Sequence, residues 1–257
     1  KLLVVDGRVA FTGGMNIREG HELKVRSPAP ARDLQFRLVG PVVAQLQEIF
    51  AIDWRFTTDE LLSGEDWFPC AAEVGSVAAR CIADGPDEDL DRTRKLLHGA
   101  ISVARSSVAI VTPYFLPDDT LITILNIAAM RGVTVDIFVP ERGNLRFVQW
   151  AAESQYWQVL EHGCRVWLTP APFDHTKIML VDEEWALVGS TNWDPRSLRL
   201  NFELNVELYS AECGAALARL IASRRQMGRP LTLAEINSQP IPQRLRNGVA
   251  RLLSPYL

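Results

Sequence analysis

HTKIMLVDEEWALVGSTN, residues 175–192, is the stretch around which this chain is organised. It places His175, Lys177 and Asp182 at His-x-Lys-x4-Asp spacing and closes with Gly-Ser-x-Asn at Asn192. An imidazole beside a fixed ammonium group suits phosphate chemistry. The lysine can hold a phosphate oxygen while the imidazole attacks phosphorus or protonates a leaving oxygen. The spacing therefore points to a site for phosphoryl or phosphodiester transfer.

The apolar residues between these polar ones predict the local fold. Runs at 178–181 and 185–188 are typical of two short buried strands, joined by a turn at 182–184. Because alternate residues of a strand share a face, we expect His175 and Lys177 to point the same way.

The same stretch recurs, shortened, at the start of the chain. Shifting the sequence by 176 positions gives six identities in 16 positions: Lys1 with Lys177, Val5 with Val181, Asp6 with Asp182, Ala10 with Ala186, Gly13 with Gly189 and Asn16 with Asn192. Chance would give roughly one. We interpret this as an internal duplication. The histidine of the first copy would stand two positions before Lys1, so we expect the chain to begin inside a motif.

Length and composition narrow the function classes. With 257 residues, 47% hydrophobic and 23% charged, the chain suits a soluble globular α/β protein of one large or two smaller domains. The net charge of −4 gives no electrostatic footprint for nucleic acid. The four cysteines form no C-x-x-C pair, which makes a zinc site improbable, and no apolar run reaches the ~18 residues of a membrane span.

Periodicity predicts strands that alternate with helices, which indicates an α/β layer structure with an extensive mixed sheet. A Pro- and Gly-containing stretch at 57–69 is the expected linker between two units, 1–69 and 70–257. The predicted strands are 1–5, 9–12, 34–39, 74–82, 108–112, 133–139, 165–168, 178–181, 185–188 and 205–209. The predicted helices are 41–56, 90–104, 118–131, 145–162, 211–227, 231–237 and 242–253.

The four histidines do not carry equal weight. His98 and His162 lie on predicted helices and are interpreted as structural or solvated. His21 follows the first motif closely and could lie near the site. His175 stands among phosphate-handling residues and is the candidate catalytic histidine.

His-x-Lys-x4-Asp followed by Gly-Ser-x-Asn resembles the phospholipase D superfamily, whose members carry two such motifs facing each other across a pseudo-two-fold axis. Further runs are similar to bacterial cardiolipin synthases: Gly13-Gly14-Met15-Asn16, Gly40-Pro41-Val42-Val43, Asp53-Trp54, Thr112-Pro113-Tyr114-Phe115 with Pro117, Asn192-x-Asp194-x-Arg196-Ser197 and Asn201-x-Glu203. The resemblance implies an α/β fold of two pseudo-two-fold-related lobes with mixed sheets flanked by helices. Residues 1–69 would be the remainder of an incomplete first lobe, and 70–257 the second lobe.

The resemblance also implies a two-step phosphodiester exchange without metal or cofactor. One histidine forms a phosphohistidine, and the other protonates the departing alcohol and then activates the incoming one. His175 would be the acid/base, and the histidine expected before Lys1 the nucleophile; which of the two attacks first stays open. The groups expected to hold the phosphate oxygens are Lys1, Lys177, Asn16 and Asn192, with Ser190 and the backbone amides around Gly14 adding hydrogen bonds.

Carboxylates are expected to orient the imidazoles. Glu203 stands where the family's orienting carboxylate for His175 stands, and Asp33 is its expected equivalent for the first motif. Asp6 and Asp182 complete the two motifs, but each follows a strand and is expected to brace a turn rather than enter the chemistry.

The implied activity is transfer of a phosphatidyl group between two phosphatidylglycerol molecules, giving cardiolipin and glycerol at a bacterial cell membrane. The chain as it stands is expected to be inactive because it carries one of the two histidines. Three alternatives stay open: a hydrolase of the phospholipase D type, a nuclease, which the acidic balance disfavours, and a non-catalytic membrane-associated or partner-binding domain. The oligomeric state is also open.

Several aromatic residues are candidates for contact with a membrane surface. The candidate aromatic residues are Trp150, Tyr156 and Trp157 on one predicted helix, Trp67 and Phe68 in the linker, and Trp193 beside the motif. Most such residues pack in a core, and the others could form an interfacial patch.

Overall fold

A computed structural model describes residues 1–22, 27–87 and 89–254. The strands are β1 (Leu2–Val5), β2 (Val9–Gly13), β3 (Ala31–Arg32), β4 (Gln35–Val39), β5 (Ala78–Asp84), β6 (Ser107–Val111), β7 (Thr134–Pro140), β8 (Arg165–Thr169), β9 (Phe173–Asp174), β10 (Ile178–Val181), β11 (Trp185–Gly189), β12 (Glu203–Tyr209) and β13 (Arg229–Leu231). The helices are α1 (Val42–Thr58), α2 (Arg92–Val103), α3 (Asp119–Met130), α4 (Arg146–Glu153), α5 (Tyr156–Leu160), α6 (Pro195–Arg199), α7 (Ala211–Met227), α8 (Leu233–Asn237) and α9 (Ile241–Leu252), with a 3-10 turn at Glu19–His21.

The centre of the fold is an eight-stranded mixed sheet in the order β13-β8-β7-β6-β10-β11-β12-β5. Its parallel pairs are β6 with β7 and β7 with β8, and its other pairs are antiparallel. The central strand β10 is buried along its whole length, as its continuous apolar sequence IMLV predicts for a strand covered on both faces. The predicted α/β architecture with a large mixed sheet is confirmed.

Helices and a smaller sheet cover the two faces of the large sheet. One core forms where α2, α3 and the short α5 pack on it, around Leu97, Leu125 and Ile137. The other core forms where α1 and α7 pack on the opposite face, and it includes Leu46 and Ile221. The structure thus has three layers. No helix among the described residues is long and apolar enough to cross a bilayer.

The smaller sheet, in the order β1-β2-β4, repeats the pairing of β10, β11 and β12. Leu2 pairs with Thr12 as Ile178 pairs with Val188, which is the same register 176 residues apart. The third strand repeats as well, because Gly13 pairs with Gln35 as Gly189 pairs with Asn205. Asp33 and Glu203, each two residues before its paired residue, therefore occupy equivalent places in the two copies.

Several boundaries differ from the sequence expectations, and the sequence patterns do not predict β3, β9 or α6. The helix predicted for 145–162 is divided into α4 and α5, because the Ser154 hydroxyl bonds back to the Ala151 carbonyl and the chain turns there. The strand predicted for 74–82 runs instead as β5, whose seven residues all pair with the seven of β12. The helix predicted for 231–237 is preceded by β13. The domain boundary expected near residue 69 stays a prediction.

Candidate active site

A short two-stranded parallel sheet brings the two copies of the motif together. β3 pairs with β9 so that Arg32 lies opposite Asp174, and the His175 backbone N–H donates to the Arg32 carbonyl at 2.7 Å. Asp33 and His175 each follow directly on one of these strands. The pairing therefore sets the two side chains next to each other, although 142 residues separate them in the sequence.

His175 and Asp33 form a buried dyad. The His175 Nδ1 lies 2.7 Å from Asp33 Oδ2, and the other carboxylate oxygen accepts from the Leu34 backbone N–H at 2.7 Å. The Asp33 side chain is completely buried, while the imidazole keeps 14% exposure. A carboxylate on Nδ1 fixes the tautomer and leaves Nε2 for proton transfer. The structure thus corrects the expected pairing, in which Glu203 would orient His175.

Gly14 makes room for this dyad. A Cβ atom at Gly14 would lie 2.7 and 2.8 Å from the two Asp33 carboxylate oxygens and 3.0 Å from the His175 carbonyl oxygen. These distances are shorter than real Cβ contacts, so a side chain here would displace the carboxylate. Asn16 is half-buried in the loop that follows β2.

Lys177 is buried beside the dyad with 5% exposure, and its ammonium group donates to the His175 carbonyl. Burial lowers the pKa of Lys177 from 10.5 to about 7; the Lys1 charge acts in the same direction, and Asp33 and Glu203 oppose it. A bound phosphodiester brings a negative charge and would favour the protonated lysine. The site is therefore suited to an anionic group.

Glu203 lies on the side of the first copy. The Ser190 hydroxyl donates to Glu203 Oε2, and the Asn201 side-chain amide donates to Oε1 at 3.0 Å. Lys1, Ser190 and Glu203 line one cavity of about 540 Å³ beside α1. The carboxylate of the second copy thus faces the lysine of the first, as Asp33 of the first copy faces His175 of the second.

Asn192 contributes a half-buried amide whose Nδ2 donates to the Ser197 hydroxyl at 3.1 Å. Its Oδ1 has no hydrogen-bond partner within the described residues and so offers an acceptor to a bound molecule. Asp194 caps α6 through the Ser197 backbone N–H at 2.7 Å, and burial raises the pKa of Asp194 to about 6. The Nδ2 group carries two hydrogens and this bond uses one of them, so the expectation that Asn192 holds a phosphate oxygen stays a prediction.

The motif aspartates lie at the hairpin turns. Asp182 accepts hydrogen bonds from the backbone N–H groups of Arg105, Ser106 and Ser107, at 2.7 to 2.9 Å. Desolvation by burial acts to raise the pKa of Asp182, but these hydrogen bonds outweigh it and lower that pKa. The four residues of β10 separate Asp182 from Lys177, a distance of roughly 16 Å at strand spacing. Asp6 occupies the same turn position, with φ 52° against 53° for Asp182. Neither carboxylate reaches the imidazole.

A second histidine lies next to the dyad. The His21 ring stands edge-on to the His175 ring with 6.1 Å between centroids, so the expectation that it could lie near the site holds. Burial lowers the pKa of His21, against the opposing charge of Asp33. One ligand atom from each of His21, Asp33 and His175 lies within 4.8 Å of the others, so these three residues could hold a metal ion.

Sequence reasoning missed the groups that anchor the histidine loop. Arg224 of α7 donates to Asp174 Oδ2 at 2.8 Å and to the Thr176 hydroxyl at 3.1 Å, and both charged residues are buried. Arg224 continues the buried helical face of Leu217 and Ile221. An arginine at the apolar spacing of a helix was the available signal. Trp193 and Tyr156, candidates for an interfacial patch, are buried in the core instead.

Comparisons with known proteins find similar sequences along the chain. The family model described as "Cardiolipin synthase, PLD-like domain" matches residues 97–224. Over 259 aligned residues the chain is 33% identical to a cardiolipin synthase of Geobacillus kaustophilus (strain HTA426), covering 100% of this chain and 52% of that protein. It is 32% identical to a cardiolipin synthase 2 of Staphylococcus epidermidis, with 100% and 53% covered. The chain spans about half the length of the curated relatives it matches.

Solved structures share the fold. A phosphatidylserine synthase from Haemophilus influenzae superposes with a TM-score of 0.71 at 16% identity, covering 100% of this chain and 70% of that one. Nuc from Salmonella typhimurium, a phospholipase D family member, superposes with a TM-score of 0.52 at 22% identity, covering 61% of this chain and 99% of that one. At these identities the two likenesses show the fold alone.

Proposed function

This chain belongs to the phospholipase D superfamily, and on that basis we propose that it takes part in phosphatidyl transfer between two phosphatidylglycerol molecules, giving cardiolipin and glycerol. The observation that carries the proposal is the buried dyad of His175 and Asp33 beside Lys177. An oriented imidazole next to a buried ammonium group is suited to exchanging alcohols on an anionic phosphodiester.

In the first step, an imidazole attacks phosphorus and the bond from phosphorus to the glycerol oxygen breaks. We assign this nucleophile to a histidine at the position two residues before Lys1, where the repeat predicts it. His175, protonated on both ring nitrogens, donates to Asp33 through Nδ1 and gives its Nε2 proton to the departing glycerol. The products of this step are a phosphatidyl-histidine and free glycerol.

In the second step, the hydroxyl group of another phosphatidylglycerol attacks the phosphatidyl-histidine. The neutral Nε2 of His175 accepts the hydroxyl proton while the bond between nitrogen and phosphorus breaks. Cardiolipin leaves, and His175 is again protonated. Asp33 holds the same ring nitrogen in both steps, so it stabilises the imidazolium form without transferring a proton itself.

Lys177 would stabilise the negative charge on the non-bridging oxygens as phosphorus becomes five-coordinate. Its burial and lowered pKa mean that little solvent screens this charge once the phosphate has bound. Lys1, which lines the cavity beside Glu203, would supply the second positive charge. These substrates are lipids, so we place the reaction at the bacterial cell membrane.

Product analysis tests the reaction. The protein, in the longest natural form that carries residues 1–257, is incubated with phosphatidylglycerol vesicles, and lipids and free glycerol are quantified by chromatography. We expect cardiolipin and glycerol in equal amounts. Phosphatidic acid without cardiolipin would instead identify a hydrolase that uses water as the second acceptor.

Replacing the candidate acid/base tests the mechanism. We expect His175→Ala to lower cardiolipin formation by about 10³–10⁴-fold, because proton transfer to and from both alcohols is lost. The matched control is His162→Ala, since His162 is exposed and its ring bonds the Gln158 carbonyl of its own helix region. Full activity in His175→Ala would overturn the mechanism.

A further inference from the structure

The C-terminal helix α9 presents its apolar side to solvent. Its large apolar residues recur at helical spacing and are between 47% and 77% exposed: Ile241, Leu245, Val249, Leu252 and the following Leu253. The side that packs on the protein carries Asn247 and Ala250 instead. A surface helix of a globular protein normally has the opposite arrangement. We call this row of five residues the α9 stripe.

Polar contacts hold α9 in this orientation. The Asn247 side-chain amide donates to Glu153 Oε2 of α4 at 3.1 Å. The Arg246 guanidinium lies over the Trp150 ring, 4.3 Å from its centroid. Phe147 stands edge-on to the same tryptophan at 5.3 Å and is itself 57% exposed, so it extends the apolar surface onto α4.

Positive charge borders the α9 stripe on both sides. Residues 241–257 contain three arginines and no acidic residue, in a chain of net charge −4. Arg246 lies 3.8 Å from the Glu153 carboxylate and Arg251 lies 3.7 Å from that of Asp119, whereas Arg244 forms no ion pair within the described residues. At about 100° per residue, Arg246 lies at one edge of the stripe, and Arg244 and Arg251 lie at the other. The latter two line a cavity of about 410 Å³ together with Trp157. An apolar stripe with arginines along its edges is the pattern of helices that lie in the interface of anionic membranes.

A run of contacts connects this surface to the candidate active site. Asn144, three residues before Phe147, accepts a hydrogen bond from the Tyr114 hydroxyl at 2.8 Å. The Tyr114 ring lies 6.3 Å from the Phe173 ring, which lies 6.0 Å from the ring of His175. These contacts join the segment in front of α4, the helix against which α9 packs, to the imidazole of His175.

We propose that the α9 stripe docks this protein on an anionic lipid bilayer, with α9 parallel to the surface and its apolar side chains inserted among the lipids. A second copy of the chain is a poorer occupant, because two stripes packed face to face would bring their bordering arginines together. This interaction goes beyond the proposed reaction, since lipid binding requires no turnover.

Vesicle flotation tests the docking. The purified protein is mixed with phosphatidylcholine vesicles, with or without phosphatidylserine as the anionic lipid, and the floating fraction is measured. We expect Leu245→Glu combined with Val249→Glu to weaken binding at least about tenfold. The matched control is Val103→Glu, a valine at 70% exposure on α2, compared with 63% for Val249. Far-UV circular dichroism checks that the variants, changed only at exposed positions, stay folded.

The charged edge gives a second readout. Arg244→Gln should weaken binding to anionic vesicles about fivefold and leave binding to neutral vesicles unchanged. His175→Ala should float like the unchanged protein, which separates docking from recognition of substrate in the site. The proposal is overturned if the double glutamate variant binds vesicles as the unchanged protein does. It is equally overturned if sizing shows a dimer that this variant dissociates while neither protein binds vesicles.

Discussion

The hairpin of β1 and β2 and the hairpin of β10 and β11 share a strand register and a turn, yet they lie in different surroundings. β10 is buried along its whole length in the middle of the large sheet, whereas alternate residues of β1 are exposed at the edge of the small sheet. The difference teaches that a repeated sequence fixes the local backbone, while the layers around it determine the properties of its side chains.

The motif residues show this difference directly. Lys177 is buried and its pKa is lowered to about 7, whereas the equivalent Lys1 is exposed. Asp182 accepts three backbone hydrogen bonds from the segment that leads into β6, whereas Asp6 lies in an exposed turn. Equivalent positions therefore carry out different physical tasks.

Asp33 and Glu203, the equivalent carboxylates of the two copies, have different hydrogen-bond partners because one neighbouring residue differs. In the second copy the Ser190 hydroxyl donates to Glu203, while the equivalent Gly14 has no side chain and lets Asp33 approach His175. The three predictions below test these contrasts between the two copies.

The largest expected effect comes from the dyad. Asp33→Asn should lower turnover by about 10²–10³-fold, because the Nδ1 proton of His175 loses its anionic acceptor. Nitrogen NMR of the imidazole should show a changed tautomer in this variant, while Glu203→Gln should leave the His175 signals unchanged. If Glu203→Gln shifts those signals and Asp33→Asn does not, the crossed pairing is wrong.

The lysines come next. Lys177→Met should lower turnover by about 100-fold through loss of charge stabilisation. The same change should raise the free energy of unfolding by about 2–4 kcal/mol at or below pH 7, because protonating a buried lysine opposes folding.

The pH dependence follows from the sign of the shift. Between pH 10.5 and about 7, Lys177 is protonated in the unfolded chain but largely neutral in the folded protein. The free energy of unfolding therefore falls as pH falls through this range. The stabilisation in Lys177→Met should therefore shrink toward zero near pH 10.5. Urea unfolding of Lys177→Met and of the unchanged protein between pH 7 and pH 10.5 measures this difference, and a difference that stays constant over that range would contradict it.

The smallest expected effect concerns the turns. Asp182→Ala should lower the free energy of unfolding by about 2 kcal/mol more than Asp6→Ala, since three backbone donors lose their acceptor. Both changes place alanine in the left-handed region, so their difference isolates the hydrogen bonds. The lowered pKa of Asp182 means that its contribution is present above its unfolded pKa of about 3.9 and is lost as pH falls through the folded value. Urea unfolding at pH 7 and at pH 3 measures the free energy of unfolding of both variants. An equal decrease in Asp182→Ala and Asp6→Ala at pH 7 would contradict the prediction.

Local patterns were sufficient for much of the fold. The apolar runs around the turn at 182–184 predicted β10 and β11, and α7 spans the residues that its periodicity predicted, 211–227. These elements depend on neighbours close in sequence, so their signals are complete in a short window.

The crossed carboxylates could not be predicted in the same way, because the pairing of Asp33 with His175 depends on the contact of β3 with β9. The sequence also could not predict which side of α9 packs on the protein. Residue spacing identifies an apolar face, but not whether the protein or another surface covers that face. Arg224 is buried and binds Asp174. Its sequence signal was an arginine at an apolar position of a helix, which is unusual because charged residues normally face solvent.

The pairing of β3 with β9 has a consequence for how such a duplicated chain can evolve. The first copy supplies the carboxylate that orients the histidine of the second copy, so the first copy cannot drift freely after duplication. A change at Asp33 is first felt 142 residues away, at a histidine that belongs to the other repeat. Selection therefore acts on the two repeats as one inherited unit, and substitutions at Gly14, Asp33 and His175 should be fixed together across lineages.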